Sequence, residues 1–369
     1  MDAGLGIGTL IAAFVVAVLV AVAGTPVVSR LARALGVVDQ PGDRSVNERL
    51  DVPLMGGIAI ALGVFVGLGA GVVLAGRELH LSGHLEAIWI GGLLILGIGV
   101  YDDRFSASAR SKLFFQVAAA GVAIFFGFRI GHFTDPISET TWILPTWLMV
   151  LVTTFWIVGI TNAMNLIDGL DGLCTGVGGI IAATLAIVCW QSGEWVGVLV
   201  GVSLVGATLG FLPFNFSPAR IFLGDTGALF IGYTLSLLAL EGYRQLSLLT
   251  FLVPILALAV PLLDTGLSVL RRLRRRENVF SADRAHMHHR LLQFQGNQRS
   301  AVLSTYFLTA CFCVIALSFT NLRGYVAVVV VFVVILLTLR LLRNLGFFEM
   351  DSAELPAADG ESGVEGQKG

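Results

Sequence analysis

Residues 144–190 read LPTWLMVLVTTFWIVGITNAMNLIDGLDGLCTGVGGIIAATLAIVCW. Two apolar runs, 144–161 and 173–190, flank a middle section, 162–172, that carries Asn162, Asn165, Asp168 and Asp171 with no lysine or arginine. A helix spans a bilayer with about 20 mostly apolar residues, so each run is a membrane-crossing candidate. A solvated turn needs fewer special residues than the two amides, two acids and two glycines found between them. The stretch therefore predicts membrane helices with chemistry gathered at their ends.

The rest of the chain repeats the pattern. Its 369 residues are 56% hydrophobic and 13% charged, with a mean hydropathy of +0.86. A soluble domain carries roughly 25% charged residues, so there is too little polar surface here to cover a water-exposed body. The net charge of −2 excludes an ordinary nucleic-acid binder. Cys174, Cys189, Cys311 and Cys313 lie inside apolar runs without C-x-x-C spacing and read as buried small side chains.

Eleven apolar segments are predicted as spans: roughly 4–24, 54–75, 87–101, 111–128, 144–161, 173–190, 195–212, 226–240, 247–270, 302–319 and 323–342. The first follows a start without basic residues and reads as a retained helix rather than a cleaved signal. Basic residues orient the set. All of them except Arg77, Arg129, Arg244 and Arg323 fall on one side, which marks that side as cytoplasmic. The expected fold is an all-α, polytopic membrane helix bundle of about eleven transmembrane helices, N-terminus outside and C-terminus cytoplasmic. Residues 1–348 form one integral membrane domain in this reading, and the acidic, glycine-rich 349–369 a disordered cytoplasmic tail.

The polar residues of the basic side are specific. Asp102, Asp103, Asp168, Asp171 and Asp225 all fall at predicted cytoplasmic helix ends. Crowded carboxylates raise one another's pKa unless a cation sits among them, and oxygen ligands without thiolates suit Mg²⁺. Arginines and histidines beside them suit phosphate oxygens. The combination points to phosphoryl transfer involving a lipid. Taken singly, each feature has a plainer reading. Asp102-Asp103 serves equally as interfacial charge, and Asp225 as a helix cap. His286, His288 and His289 have weak zinc spacing. Arg271 to Arg276 reads as a topology signal and a contact for anionic lipid. Asp264, the one acid well inside an apolar segment, is a functional candidate with Arg271 as its partner. Neither a G-x-x-x-x-G-K-[ST] loop nor a G-x-G-x-x-G turn is present.

Five ordered motifs carry a resemblance: Pro53-Leu-Met-Gly-Gly57, Asp102-Asp103, Asn162 to Gly172, Asn215 to Gly227, and His286-Met-His-His289. Over about 26–293 the chain resembles the polyprenyl-phosphate N-acetylhexosamine-1-phosphate transferases (glycosyltransferase family 4). The resemblance implies a bundle of ten or eleven helices in the plasma membrane, with the active site facing the cytoplasm. The implied reaction joins a UDP-N-acetylhexosamine to undecaprenyl or decaprenyl phosphate and releases UMP. It also implies a Mg²⁺ cofactor, with Mn²⁺ as a substitute, and membrane lipid and a second copy of the chain as further partners. By the same resemblance Asp225 and Asn165 hold the metal, and Asp102 and Asp103 hold or deprotonate the lipid phosphate. Asp168 and Asp171 contact the nucleotide side. Asn215 and Phe222 take uracil and ribose, and His286, His288 and His289 engage phosphate. His-Met-His-His after Ser281-Ala-Asp283-Arg284 resembles the WecA/TagO branch, which favours UDP-GlcNAc. UDP-MurNAc-pentapeptide is the alternative donor, and a secondary transporter the alternative class. Asp51 stands where the lipid I-forming relatives carry lysine, with Arg44 or Arg49 as replacements for that charge.

Overall fold

The computed structural model describes residues 5–39, 51–76, 83–134, 140–242, 248–274, 291–292, 296–319 and isolated positions between 329 and 340. The chain divides into Met1–Asn321 and Leu322–Gly369. The predicted last span, the tail, and His286, His288 and His289 fall wholly or mostly outside the described residues.

The first unit is helical: α1 (Ile7–Ala34), α2 (Gly57–Ala75), α3 (His84–Phe105), α4 (Ala109–Phe125), α5 (Thr146–Ile167), α6 (Leu173–Ser192), α7 (Trp195–Asn215), α8 (Gly224–Glu241), α9 (Leu248–Ala257), α10 (Ala259–Arg274) and α11 (Gln298–Phe319). Seven of these, α1, α2, α3, α5, α6, α7 and α11, are long and apolar enough to cross a membrane. The molecule is thus an all-α, multi-pass membrane protein. One small exception is an antiparallel hairpin, β1 (His132–Thr134) with β2 (Thr141–Ile143), in register His132 to Ile143. Its threonines, Phe133, Trp142 and Ile143 are strand formers.

Helix ends differ from the apolar runs in an instructive way. The run ending near residue 24 continues as helix to Ala34, through Pro26 and past Arg30 and Arg33. Apolarity ends where lipid ends, but hydrogen bonding from residue i to i−4 does not. For the same reason Asp102 and Asp103, expected in a loop, occupy the last turn of α3, and Asn162 and Asn165 the last turns of α5.

Close packing comes from small residues. Ala13, Ala17 and Ala21 form the buried face of α1. Gly63 and Gly67 of α2 and Gly206 and Gly210 of α7 approach that face so closely that a methyl group at any of them would press on α1 carbonyls. Lipid gives helices no hydrophobic drive to associate, so van der Waals contact of this kind holds them. Several threonines within the bundle are satisfied locally: the hydroxyls of Thr161, Thr208 and Thr234 donate to the carbonyls of Ile157, Leu204 and Phe230 on their own helices.

Helix α8 is the axis. Every residue from Thr226 to Glu241 is buried, and it packs against α2, α3, α5, α6 and α7. Its partner α3 runs antiparallel and is tied to it at three levels. Asp103 reaches the start of α8, Tyr233 donates to the Ala87 carbonyl at 3.0 Å, and at the far end His84 Nδ1 lies 2.5 Å from Glu241 Oε2. The His84 ring also stacks on Phe128 at 4.3 Å.

Candidate active site

The ends of α3, α5 and α7 and the starts of α2, α4, α6 and α8 meet at one end of the bundle. The segment before α2 is stitched to the segment before α8. Phe222 N–H donates to the Pro53 carbonyl, Gly56 N–H to the Phe222 carbonyl, and Gly57 N–H to the Leu223 carbonyl, at 2.9, 3.0 and 3.0 Å. A Cβ on Gly57 would collide with the Thr226 and Gly227 backbone. The Pro53–Gly57 motif therefore acts through its backbone, and its glycines let α2 and α8 start in contact. Gly224, at φ +72°, turns the chain into α8 directly under the Asp103 carboxylate. A side chain there would strain the backbone and strike that carboxylate.

Adjacent residues on a helix point about 100° apart, and Asp102 and Asp103 accordingly divide. Asp103 accepts the Asp225 N–H at 2.8 Å and the Thr226 hydroxyl at 2.5 Å. It caps α8 from a neighbouring helix, supplying the acceptor that the first turn lacks. Asp102 accepts the Ala107 N–H and the Lys112 ammonium, each at 2.6 Å. Lys112 also donates to Asp225, so one ammonium bridges the carboxylates of α3 and α8. The Asn165 amide, from the last turn of α5, lies beside the Asp225 carboxylate. One turn below, Gln116 of α4 and Asn162 of α5 exchange amide hydrogen bonds of 3.2 and 2.7 Å, setting the register that brings Lys112 and Asn165 to Asp225.

Asp168 follows α5. Burial, then the nearby charges of Asp225, Asp103 and Asp171, push its carboxyl well above the usual carboxylate range. Asp171 is buried and accepts the Ala219 N–H at 3.0 Å. Asn215 is 3% exposed, accepting from Thr175 at 2.8 Å and donating to the Ile221 carbonyl at 3.1 Å. Both thus brace the 216–223 loop, in which half-buried Phe222 has its backbone pinned. The structure brings Asp102, Asp103, Asn165, Asp168 and Asp225 into one cluster and sets Asp171 and Asn215 behind it.

The donor set fits a hard divalent cation. Asp102 and Asp225 offer carboxylate oxygens and Asn165 an amide, and an ammonium already stands between the two acids. Among the described residues no group of three or more His, Cys, Asp or Glu side chains encloses a metal. Carboxylate and amide oxygens of this kind fit Mg²⁺, which keeps waters and leans on one or two carboxylates plus substrate phosphates. Lys112 is the residue sequence reasoning missed, since it counted there only as a topology charge. A signal existed: it lies in the first turn of α4, where the helix dipole disfavours a cation, so it required acidic partners.

Comparison with known proteins matches this geometry to a family. Residues 85–243 match the family described as glycosyl transferase family 4. A Bacillus subtilis protein named probable undecaprenyl-phosphate N-acetylglucosaminyl 1-phosphate transferase is 36% identical over 328 residues, 89% of each chain. This chain belongs to glycosyl transferase family 4. The decaprenyl-phosphate N-acetylglucosaminephosphotransferase of Mycobacterium tuberculosis is 35% identical over 304 residues, 76% of this chain and 74% of its own. The undecaprenyl-phosphate alpha-N-acetylglucosaminyl 1-phosphate transferase of Escherichia coli K12 is 28% identical over 283 residues, 74% and 73% of the two chains. The family match runs from the start of α3 to the end of α8. Its core is therefore the antiparallel helix pair whose ends carry Asp102, Asp103 and Asp225.

Proposed function

We propose that the protein transfers N-acetylglucosamine-1-phosphate from UDP-N-acetylglucosamine to a polyprenyl phosphate, releasing UMP and starting a lipid-linked envelope glycan. The observation that carries this is the Asp102–Lys112–Asp225 bridge with Asn165, an acid–cation–acid cluster at a membrane helix end, in a chain similar along most of its length to enzymes named for that reaction.

In this reading an oxygen of the lipid phosphate attacks the β-phosphorus. The bond from that phosphorus to the bridging oxygen breaks, and the oxygen leaves with UMP. Asp225 and Asn165 would hold Mg²⁺, or Mn²⁺ in its place, which when bound draws charge from the diphosphate. Lys112 offsets part of the negative charge of Asp102 and Asp225, which eases the entry of two anionic substrates into an otherwise acidic cluster. The two acids of α3 take separate parts. Asp102 holds the lipid phosphate or takes its proton, a small demand because a phosphate monoester's second pKa is about 6. Asp103 acts through the Asp225 amide and sets where Asp225 stands. Asp168 faces the donor, Phe222 stacks on its base, and Asp171 and Asn215 shape the loop that presents that ring. His286, His288 and His289 complete the phosphate contacts.

The helix directions support a finer topology. α1, α3, α5 and α7 end at the site and α2, α4, α6 and α8 begin there, an alternation that agrees with the distribution of basic residues. We read eleven crossings from the sequence, with the N-terminus outside and the site facing the cytoplasm of the plasma membrane.

The test is UMP release by detergent-purified protein given undecaprenyl phosphate, Mg²⁺ and UDP-GlcNAc, with EDTA and UDP-MurNAc-pentapeptide in parallel. UMP from UDP-GlcNAc that EDTA abolishes supports donor and metal together. UMP from the pentapeptide donor alone overturns the sugar, and none from any UDP-sugar overturns the reaction.

A further inference from the structure

The two polar loops of the site are also held from outside the family core. Helix α11 begins 55 residues beyond the family match, which ends at 243, yet its first turns grip both loops. Arg299 Nε donates to the Ser217 carbonyl at 2.8 Å. Gln298 Oε1 accepts from the Ser217 hydroxyl at 3.2 Å. Two turns further along, the Tyr306 hydroxyl donates to the Gly172 carbonyl at 2.5 Å. Residues seven apart lie on one helix face, so a single face of α11 holds the loop before α8 and the loop before α6.

The surroundings are shaped for this grip. Gly172, at φ +79°, exposes its carbonyl at the junction, where a Cβ would stand 3.2 Å from Phe216 and 3.4 Å from the Tyr306 hydroxyl. The Tyr306 ring occupies the space a side chain on Gly176 would need. The loops are joined directly as well, through Asp171 and the Ala219 N–H. Ser217, Asp171 and Gly172 thus form a three-way knot with α11 as the outer member. Beyond the knot, the loop before α6 carries Asp168, and the loop before α8 carries Phe222 and leads into Asp225 in the first turn of α8.

We infer that Arg299 and Tyr306 are positioning residues for the sugar-nucleotide donor, through their hold on Ser217 and Gly172. The inference rests on the donor-side reading of Asp168 and Phe222 above. Neither side chain reaches the cluster itself. What they set is the distance between the two loops, and a donor that bridges the loops binds well only when that distance is preset. The lipid phosphate meets Asp102 on α3, outside the knot, and its binding is independent of the grip.

The experiment measures steady-state UMP release with each substrate varied in turn, on Tyr306→Phe, Arg299→Met and the double variant. Tyr306→Phe removes one hydroxyl, and Arg299→Met keeps the stem of an exposed side chain without its donors. Each single change is expected to raise the KM for UDP-GlcNAc about three- to tenfold, the span a hydrogen bond's net contribution allows. The KM for polyprenyl phosphate and the thermal midpoint in detergent stay constant. Arg299→Lys, which can still donate to Ser217, restores the donor KM. Thr309→Val, whose hydroxyl serves only its own helix at Thr305, leaves both KM values unchanged. Equal changes in both KM values, a loss of stability without a donor effect, or no change at all would overturn the assignment. Wild-type protein that releases no UMP from any UDP-sugar would instead remove the reading on which it rests.

Discussion

The antiparallel pair α3 and α8 is tied at both ends with charged side chains, and the two ties are built differently. At the far end His84 and Glu241 each keep 3% of their side chain exposed, and the pair is walled by Phe128. At the site end Lys112 keeps 24% and Asp225 29%, and two acids, Asp102 and Asp225, share one ammonium. The far tie is closed to water. The near tie is open and has an excess of acid. A buried pair satisfied by its own partner can only hold helices together. A partly solvated cluster with unbalanced negative charge keeps capacity for a cation and a phosphate. The difference in exposure and in excess negative charge, more than in residue type, separates structure from chemistry here.

The sharpest break in that comparison sets Asp225→Asn against Glu241→Ala. The first is expected to lower kcat at least about a hundredfold with an unchanged thermal midpoint. The second leaves His84 without its acid and is expected to cost on the order of 3 kcal/mol of stability, read as a lower midpoint, with near-normal kcat per folded molecule. Activity lost in Glu241→Ala without a loss of stability would erase the distinction.

Lys112→Gln comes next. It keeps the length of the bridge and removes its charge, so kcat/KM should fall roughly ten- to a hundredfold while the Mg²⁺ needed for half-maximal rate shifts. An unchanged metal requirement would show that the ammonium does not share the acids with the metal.

A smaller effect is expected for Asp103→Asn. The amide keeps one acceptor for the start of α8 but cannot serve both the amide and the hydroxyl there, a loss of about 1 kcal/mol. The rate should drop less than in Asp102→Asn. The reverse order, measured as kcat at saturating substrates, would exchange the parts given to the two acids.

The smallest effect concerns pH. Asp168 binds its proton more tightly in the folded chain than in an unfolded one, so stability falls as pH rises through its folded pKa. Metal-free protein in detergent should therefore gain stability as pH drops from neutral toward the usual carboxylate range. Mg²⁺ at neutral pH should give a similar gain, and Asp168→Asn should flatten the slope. A wild-type slope that Asp168→Asn leaves intact would assign the titration elsewhere.

Much of the molecule was legible in its sequence because lipid imposes a simple rule. Every backbone polar group must pair within its own helix, so apolar length alone locates spans. Ten of the eleven predicted segments coincide with described helices, with 247–270 divided between α9 and α10. The membership of the acid cluster was equally legible, since Asp102, Asp103, Asn165, Asp168 and Asp225 lie in polar stretches flanking such segments. What composition could not show was which way each of these side chains turns. Asp102 and Asp103 are chemically identical neighbours, and only the packing of α3 on α8 sends one to Lys112 and the other to the Asp225 amide. Asn215 and Asp171 also stand out in the sequence, but only the fold shows their hydrogen bonds bracing the 216–223 loop. Lys112 could not be recruited from its neighbours in sequence, because its partners come from helices ten and 113 residues away. Sequence by itself determined the helical segments, the membrane class and the kind of chemistry, through length and residue type. Only tertiary structure decided which acid caps, which acid waits and which cation stands between them, because those are relations between helices.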